Sequence, residues 1–307
     1  RWYLLLFQAT RAIMAGRSST AFQLVDEAES LGRRIDVQPA LVYAVGQRFL
    51  LLRQIGRTGE IEDDLRLMAA SYPVHGAFRC MLTLLLADAR RTEEAIALLD
   101  ELVAGGCAAL PRQALWLANV AMLAEAAAEL DHSQHAATLH DLLEPYAGRI
   151  AMEGVIAWWG AVDRYLALTS STLERWEQAD NRFRAALRLH EAWAAVPLVE
   201  ATLTGHAAML RKRGGSEDRE RASRLEAQAA AIPTSRPPRS SPLVGAGLTA
   251  RETQVLDLLA TGASNKHIAR RLGVSVHTVE RHVANVYPKI GARNRTEATA
   301  LALRRRQ

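Results

Sequence analysis

Apolar residues recur three and four positions apart along most of the first 231 residues, while the strict alternation of a half-buried strand is nearly absent. The pattern predicts about twelve helical segments, arranged in pairs. The second helix of several pairs carries a small residue at one place: Ala95 in RTEEAIALLDEL, Ala136 in HSQHAATLHDLL, Ala179 in RWEQADNRFRAAL and Ala222 in EDRERASRLEAQA. Their separations are 41, 43 and 43 residues. Ala21 and Asp63 extend the series upstream at a separation of 42, and the step from Asp63 to Ala95 is 32. Paired helices with a period near forty mark a stacked helical array, in which small residues let neighbouring helices approach. Pro39, Pro73, Pro111 and Pro197 lie near predicted helix starts, where a missing N–H costs little.

The periodicity stops at Ile232–Gly247, IPTSRPPRSSPLVGAG, whose four prolines cannot continue a helix and which reads as a semi-stiff linker. Helix signals then resume. In LTARETQVLDLLATG, Thr249 and Glu252 form a capping box, and Gly262 closes that helix. Ser264 caps a helix from Asn265 to Leu272, with Ile268, Ala269 and Leu272 on one face. Gly273 supplies the positive φ that ends it. Ser275 caps the next helix, with Val276, Val279 and Val283 facing inward. Counted from Asn265, the small Ala269 is fifth, Gly273 ninth and Val279 fifteenth, the spacing of a helix-turn-helix. In ARNRTEATALALRRR, Asn294 and Glu297 make a second capping box that opens a last helix. The predicted organisation is 1–231 for the repeats, 232–247 for the linker and 248–307 for the four-helix unit.

Charge follows the same division. Residues 248–307 hold eleven Lys/Arg and four Asp/Glu, whereas residues 1–231 hold 25 and 29. A basic tail on an acidic body predicts that the tail meets a polyanion and the body does not. With 49% hydrophobic residues the body can bury a core. No apolar run reaches the ~18 residues needed to cross a bilayer, and no membrane partner is expected. Cys80 and Cys107 lie outside any metal-type spacing, which fits a reduced, cytoplasmic protein. The opening RWYLLLF lacks the basic region and cleavage site of a signal peptide, and reads as an internal start in a longer protein.

From LTARETQVLDLLATG through SNKHIARRLGVSVHTVERH to ARNRTEA, residues Leu248 to about Leu303 resemble the LuxR-type DNA-binding domain. The preceding repeats resemble a degenerate tetratricopeptide array. The fold class is therefore all-α: an α-solenoid of paired helices followed by a four-helix LuxR-type helix-turn-helix domain. The resemblance implies that the helix from Val276 to about Tyr287 enters the major groove of promoter DNA. Lys266, Thr278 and His282, with backbone N–H groups, would meet phosphates, and Ser275 and Lys289 would also contact the DNA. His277, Glu280, Arg281 and Asn285, with Ala284 beside them, would read bases; Arg281 suits guanine, and Glu280 suits the amino group of cytosine. The last helix, through Ala298, Leu301 and Ala302, would supply the contact of a homodimer on DNA, and the terminal Arg304–Arg306 run is either a solvated tail or a phosphate contact.

Two departures stand out. Glu280 takes a place where the family often has a base, and its charge opposes phosphate. Pro288 is expected to kink or end the recognition helix. The whole layout is similar to the large ATP-binding, MalT-like regulators of the LuxR family. That resemblance implies ATP only in an upstream module and no cofactor in this chain. It also implies a small-molecule or protein effector on the repeats, with RNA polymerase as a further candidate partner. Other signals carry less. His132, His135, His140 and Asp141 lie close in sequence, but solvated repeat helices explain them and no metal is expected. Trp116, Trp158, Trp159, Trp176 and Trp193 are read as packing between repeats rather than a ligand groove. RKRGGSED is a glycine turn, not a phosphate loop. Nothing argues for an enzyme. The reading is a DNA-binding transcription regulator; the alternative is an interaction scaffold whose helix-turn-helix has lost DNA through Glu280 and Pro288.

Overall fold

The computed structural model describes residues 1–35, 37, 40–73, 76–154, 157–233, 250–260, 262–290 and 298. The chain divides into two compact units at residues 237/238. Most of the expected linker lies outside the described residues, as does Thr249 of the first capping box. Among the described residues no helix is long and apolar enough to cross a membrane.

Unit 1 contains twelve α-helices among its described residues: α1 (Trp2–Met14), α2 (Ser18–Arg34), α3 (Ala40–Gln54), α4 (Glu62–Ser71), α5 (Gly76–Asp88), α6 (Thr92–Cys107), α7 (Trp116–Glu129), α8 (Ser133–Leu143), α9 (Val162–Thr172), α10 (Trp176–Ala192), α11 (Val196–Arg213) and α12 (Ser216–Ala231). They pack as six consecutive pairs, and the first helices of successive pairs also meet, α5 on α7 and α7 on α9. Each pair turns through a residue in the left-handed region: Gly16, Gly56, Arg90, Asp131, Glu174 and Gly214. The small residues named from the sequence occupy the close approach. Ala21, Ala95, Ala136, Ala179 and Ala222 are all 0% exposed. Asp63 is the exception; a 3-10 turn at Thr58–Ile61 precedes α4. Ile61, five residues after Gly56 as Ala21 is after Gly16, takes the buried place and Asp63 is half-buried.

A two-stranded antiparallel hairpin, β1 (Ile150–Glu153) and β2 (Ala157–Ala161), interrupts the helices between α8 and α9. The absence of strand alternation in the sequence did not anticipate it. Strand β2 is buried at every position, AWWGA, so no polar face remains to betray its period. It touches α1 and α3 on one side and α9 and α10 on the other. Trp159 lies beside Phe49 of α3, and Trp158 beside His190 and Trp193 of the α10 end. Burial, aided by the charge of Arg164, lowers His190 to about 3, so its imidazole is neutral. Its Nε2 accepts from the Ala161 N–H at 2.8 Å, which leaves Nδ1–H for Thr202 Oγ1 at 2.9 Å. A Cβ on Gly160 (φ +99°) would stand 2.7 Å from that same Nε2, so only glycine fits. Trp116, as expected, packs within the array, 5% exposed and against Tyr146.

A buried ionic network crosses the first helices of four pairs. Glu125 of α7 accepts from Arg53 of α3 at 3.0 Å and from Arg164 of α9 at 2.7 Å, and Arg53 also donates to Asp88 of α5 at 2.8 and 3.1 Å. Burial alone would raise the Glu125 carboxyl, but Arg164 and Arg53 overcome it and hold it at about 2. Glu153, on β1, is buried and pushed up to about 7 by desolvation.

Removing Glu125 leaves the buried Arg164 guanidinium without its carboxylate, while the half-buried Arg53 keeps Asp88, so Glu125→Ala should cost about 3 kcal/mol in urea unfolding. The carboxyl is depressed on folding, so its stabilisation is full above pH 4.5. It is lost as pH falls towards about 2, and the acid limb of a stability–pH curve should be shallower in the variant. Glu153 runs the other way. Its folded value is raised, so stability is greatest below pH 4.5 and declines as pH rises through about 7. Glu153→Gln should flatten the change in Tm between pH 5 and pH 8; an unaltered slope would rule out the buried carboxyl as its source.

Candidate nucleic-acid interface

Unit 2 is built on α13 (Ala250–Ala260), α14 (Asn265–Leu272) and α15 (Val276–Ile290). Ser264 stands in an extended conformation, and its hydroxyl accepts from the His267 N–H at 3.3 Å, capping α14. Gly273 (φ 66°, ψ 34°) ends α14 in the left-handed region, and the next N–H, of Val274, reaches back to the Ala269 carbonyl at 3.0 Å. Ser275 then caps α15 through the Thr278 N–H at 3.1 Å, and the two hydroxyls bond each other at 2.7 Å. Arg251 of α13 donates to the Leu272 carbonyl, tying the first helix to the end of the second. Val255, Leu259, Ile268, Ala269, Val279 and Val283 form the core, with Val286 also fully buried.

That core fixes which face of α15 is left outside. His277, Glu280, Arg281, Ala284 and Asn285 are exposed and follow the 3–4 spacing of one helix face. Thr278 and His282 flank the stripe half-buried. Lys266, His267, Arg270 and Arg271 are exposed on α14. Val276, expected to face inward, is 40% exposed. It opens the first turn at the margin of the apolar stripe, ahead of the point where Val279 meets α14. Ser275 and Thr278 are exposed and half-buried respectively, but each hydroxyl already serves the cap, so their first task is to start the helix. His277 Nδ1 lies 3.8 Å from Glu280 Oε2.

Helix α15 continues through Pro288 to Ile290, against the expectation that the proline ends it near Tyr287. The proline removes one N–H from the ladder, but the backbone carries on for two further residues. The side chain of Lys289 lies outside the described residues. So do Leu301 and Ala302 of the expected dimer contact, and the Asn294–Glu297 capping box. Ala298 is helical and fully buried within the chain.

Residues 246–302 match the family model described as bacterial regulatory proteins, luxR family. The C-terminal unit is a LuxR-family helix-turn-helix domain. Over 54 residues the chain is 50% identical to a probable transcriptional regulatory protein, SgaR, of Hyphomicrobium methylovorum, covering 18% of this chain and 26% of that one. It is 46% identical over 57 residues to the HTH-type transcriptional regulator MalT of Yersinia pestis, covering 19% of this chain and 6% of MalT. A longer match, 36% over 131 residues, joins 39% of this chain to 14% of a Mycobacterium bovis protein whose name marks it as an HTH-type transcriptional regulator. That length exceeds the LuxR-family unit, so the similarity includes residues outside it. The chain spans about a quarter of the length of the first relatives it matches. No solved structure matches the chain.

Unit 1 holds a second candidate site, a cavity of about 850 Å³. Its wall includes the Arg53–Glu125–Arg164 network, Trp158 and Trp159 of the hairpin, and Lys212 of α11. Lys212 reaches Asp131, in the turn between α7 and α8, at 2.8 Å. The sequence reads the two tryptophans as packing. Both are nearly buried, and they also line this cavity. Sequence periodicity could not find it, because its lining comes from residues up to about 200 positions apart.

Arg281 lies in the exposed stripe of α15 and Lys266 on α14, and substitution tests whether they act differently on DNA. Arg281→Ala, in the exposed stripe, should lose about 1–3 kcal/mol on a preferred duplex and relax the choice of base. Lys266→Ala should weaken all duplexes alike and reduce the salt slope by about one. Fluorescence anisotropy on matched and scrambled duplexes at several salt concentrations measures both.

Proposed function

We infer that this chain is part of a sequence-specific, DNA-binding transcription regulator whose helical repeats hold an effector and control the LuxR-family unit. The observation that carries this reading is the exposed stripe His277–Glu280–Arg281–Asn285. It stands on a helix whose opposite face is locked into the helix-turn-helix core. Such a helix can enter a major groove without disturbing its own packing. The surplus of eleven basic over four acidic residues in 248–307 supplies the attraction to phosphate. Relatives of both the short and the long kind are named as transcriptional regulators.

In this reading, Lys266 and the backbone N–H groups at the starts of α14 and α15 contact phosphates, while Arg281, Asn285, His277 and Glu280 read base edges. The protein works as a homodimer on promoter DNA, in the cytoplasm, with RNA polymerase as a further partner. The effector occupies the cavity of unit 1. Glu125 Oε2 and Arg164 Nε are buried at its wall with no hydrogen-bond partner among the described residues. Arg53, Glu125 and Lys212 bring charges of both signs to that wall, so an effector with both donors and acceptors would suit it. ATP belongs to a nucleotide-binding module ahead of the repeats, and this chain itself carries no catalytic role.

The scaffold reading draws on Glu280, whose carboxylate opposes the DNA backbone. The test is selection from a random duplex pool with the 307-residue chain, followed by a salt titration. A steep fall of affinity with salt and an enriched two-fold sequence are expected. Flat, weak binding without enrichment, by a chain that is folded, would overturn the regulator reading in favour of the scaffold.

A further inference from the structure

The turn that starts the second helix of a pair is nearly the same in five places. A left-handed residue is followed by an arginine: Gly16–Arg17, Gly56–Arg57, Arg90–Arg91 and Glu174–Arg175. In the fourth pair the same backbone carries Asp131–His132 instead. Three residues on, where Arg57 and Arg91 find Glu60 and Glu94, His132 finds His135. The two imidazoles lie face to face, their centroids 4.3 Å apart and their planes within 13°. His135 Nε2 also meets Asp100 of α6, which belongs to the preceding pair. In the pair before, Glu94 stands at the place of His135 and meets Arg66 of α4 at 3.2 Å, and Arg66 stands at the place of Asp100, each ten residues after its left-handed residue. Thus one inter-repeat ion pair of the array has been rebuilt from groups that can bind a metal.

We propose that Asp100, His132 and His135 form a binding site for a divalent transition-metal ion of the zinc type, which clips the third helical pair to the fourth. One donor atom from each of the three residues lies within 4.8 Å of the other two. Tetrahedral zinc wants its ligand atoms about 3.4 Å apart, given bonds of about 2.0–2.2 Å. Side-chain rotation closes that gap, because Asp100 and the two rings stand at the surface or half-buried. Two imidazoles and a carboxylate are a donor set that suits zinc, and water completes the fourth position. The histidines and aspartate that lie close in sequence divide here. His140 is buried against Thr169, 3.0 Å away, and Asp141 is no part of the cluster. The missing ligand comes from Asp100, 32 residues before His132, and only the packing of α6 on α8 supplies it.

Metal binding has a cost written into the site. Nδ1 of His132 accepts the His135 N–H at 3.4 Å as the cap of α8. A neutral imidazole has one lone pair, so a ring that coordinates a metal gives up that cap. The ion also replaces the hydrogen bond between His135 Nε2 and Asp100.

The experiment is a titration of the full chain, first stripped with chelator, with Co²⁺ followed by visible absorption and with Zn²⁺ followed by calorimetry. One equivalent of ion is expected, with a rise in Tm on adding Zn²⁺ and a shift of the His135 amide resonance. His132→Gln, His135→Gln and Asp100→Asn should each weaken binding on the order of tenfold or more, a lost ligand costing at least what a lost outer partner does. Asp141→Asn should bind as the parent does. Asp100 is exposed, so its variant tests the site even where a histidine variant fails to fold. Absence of saturable binding overturns the proposal, as does binding that survives undiminished in His135→Gln and Asp100→Asn.

Discussion

The buried carboxylate of Glu125 is the point on which unit 1 depends. It takes one hydrogen bond from Arg53 and another from Arg164, and so links helices α3, α7 and α9, with Asp88 of α5 joined through Arg53. Stacked repeats ordinarily hold together through neighbour contacts alone, each pair meeting only the next. Here charge, taken out of water and therefore tolerable only when paired, connects the first helices of four pairs at once. The same groups line the cavity, so the element that fixes the array also sets the chemistry a bound effector would meet.

Around that centre the repeats are variations on one turn. The left-handed residue need not be glycine: Arg90, Asp131 and Glu174 accept the strain, on the order of 1–2 kcal/mol each. The first turn of the second helix joins one pair to the one before it: Arg91 and Glu94 reach Glu62 and Arg66 of α4. At the place of Glu94 the fourth pair carries His135, which meets Asp100 of α6. The β1–β2 hairpin is a second departure from the period. It fills the space between α1, α3, α9 and α10 with two tryptophans, and Gly160 is what allows the chain to pass His190.

In the LuxR-family unit the dependence is simpler. Two serine caps, one left-handed glycine and an apolar stripe leave a single face of α15 outside the core. Among the described residues of that helix, His277, Glu280, Arg281, Ala284 and Asn285 stand outside along one face, while Val279, Val283 and Val286 are committed to the core. The pairing of an acid with a base along the stripe gives it a pattern, not merely a positive charge.

Much of this was legible in the residues. Caps, turns and helix faces are local, so the positions of Ser264, Gly273 and Ser275 defined α14 and the start of α15 before any packing was known. The forty-residue period was visible too, since each alanine at the close approach had to be small whatever its neighbours. At the second pair the buried place is held by Ile61, five residues after Gly56 as Ala21 is after Gly16, and its larger side chain hid it from a search for small residues that settled on Asp63. Three things needed the tertiary structure. The hairpin was hidden because a strand buried on both faces has no alternation. The Glu125 network was hidden because a glutamate in an alanine-rich helix does not announce the arginines that lie 72 residues before it and 39 after. Asp100, likewise, joins His132 and His135 only because one helix pair stacks on the next. Sequence determines what each short stretch can become; which distant charges and ligands then meet is decided by how the pairs pack.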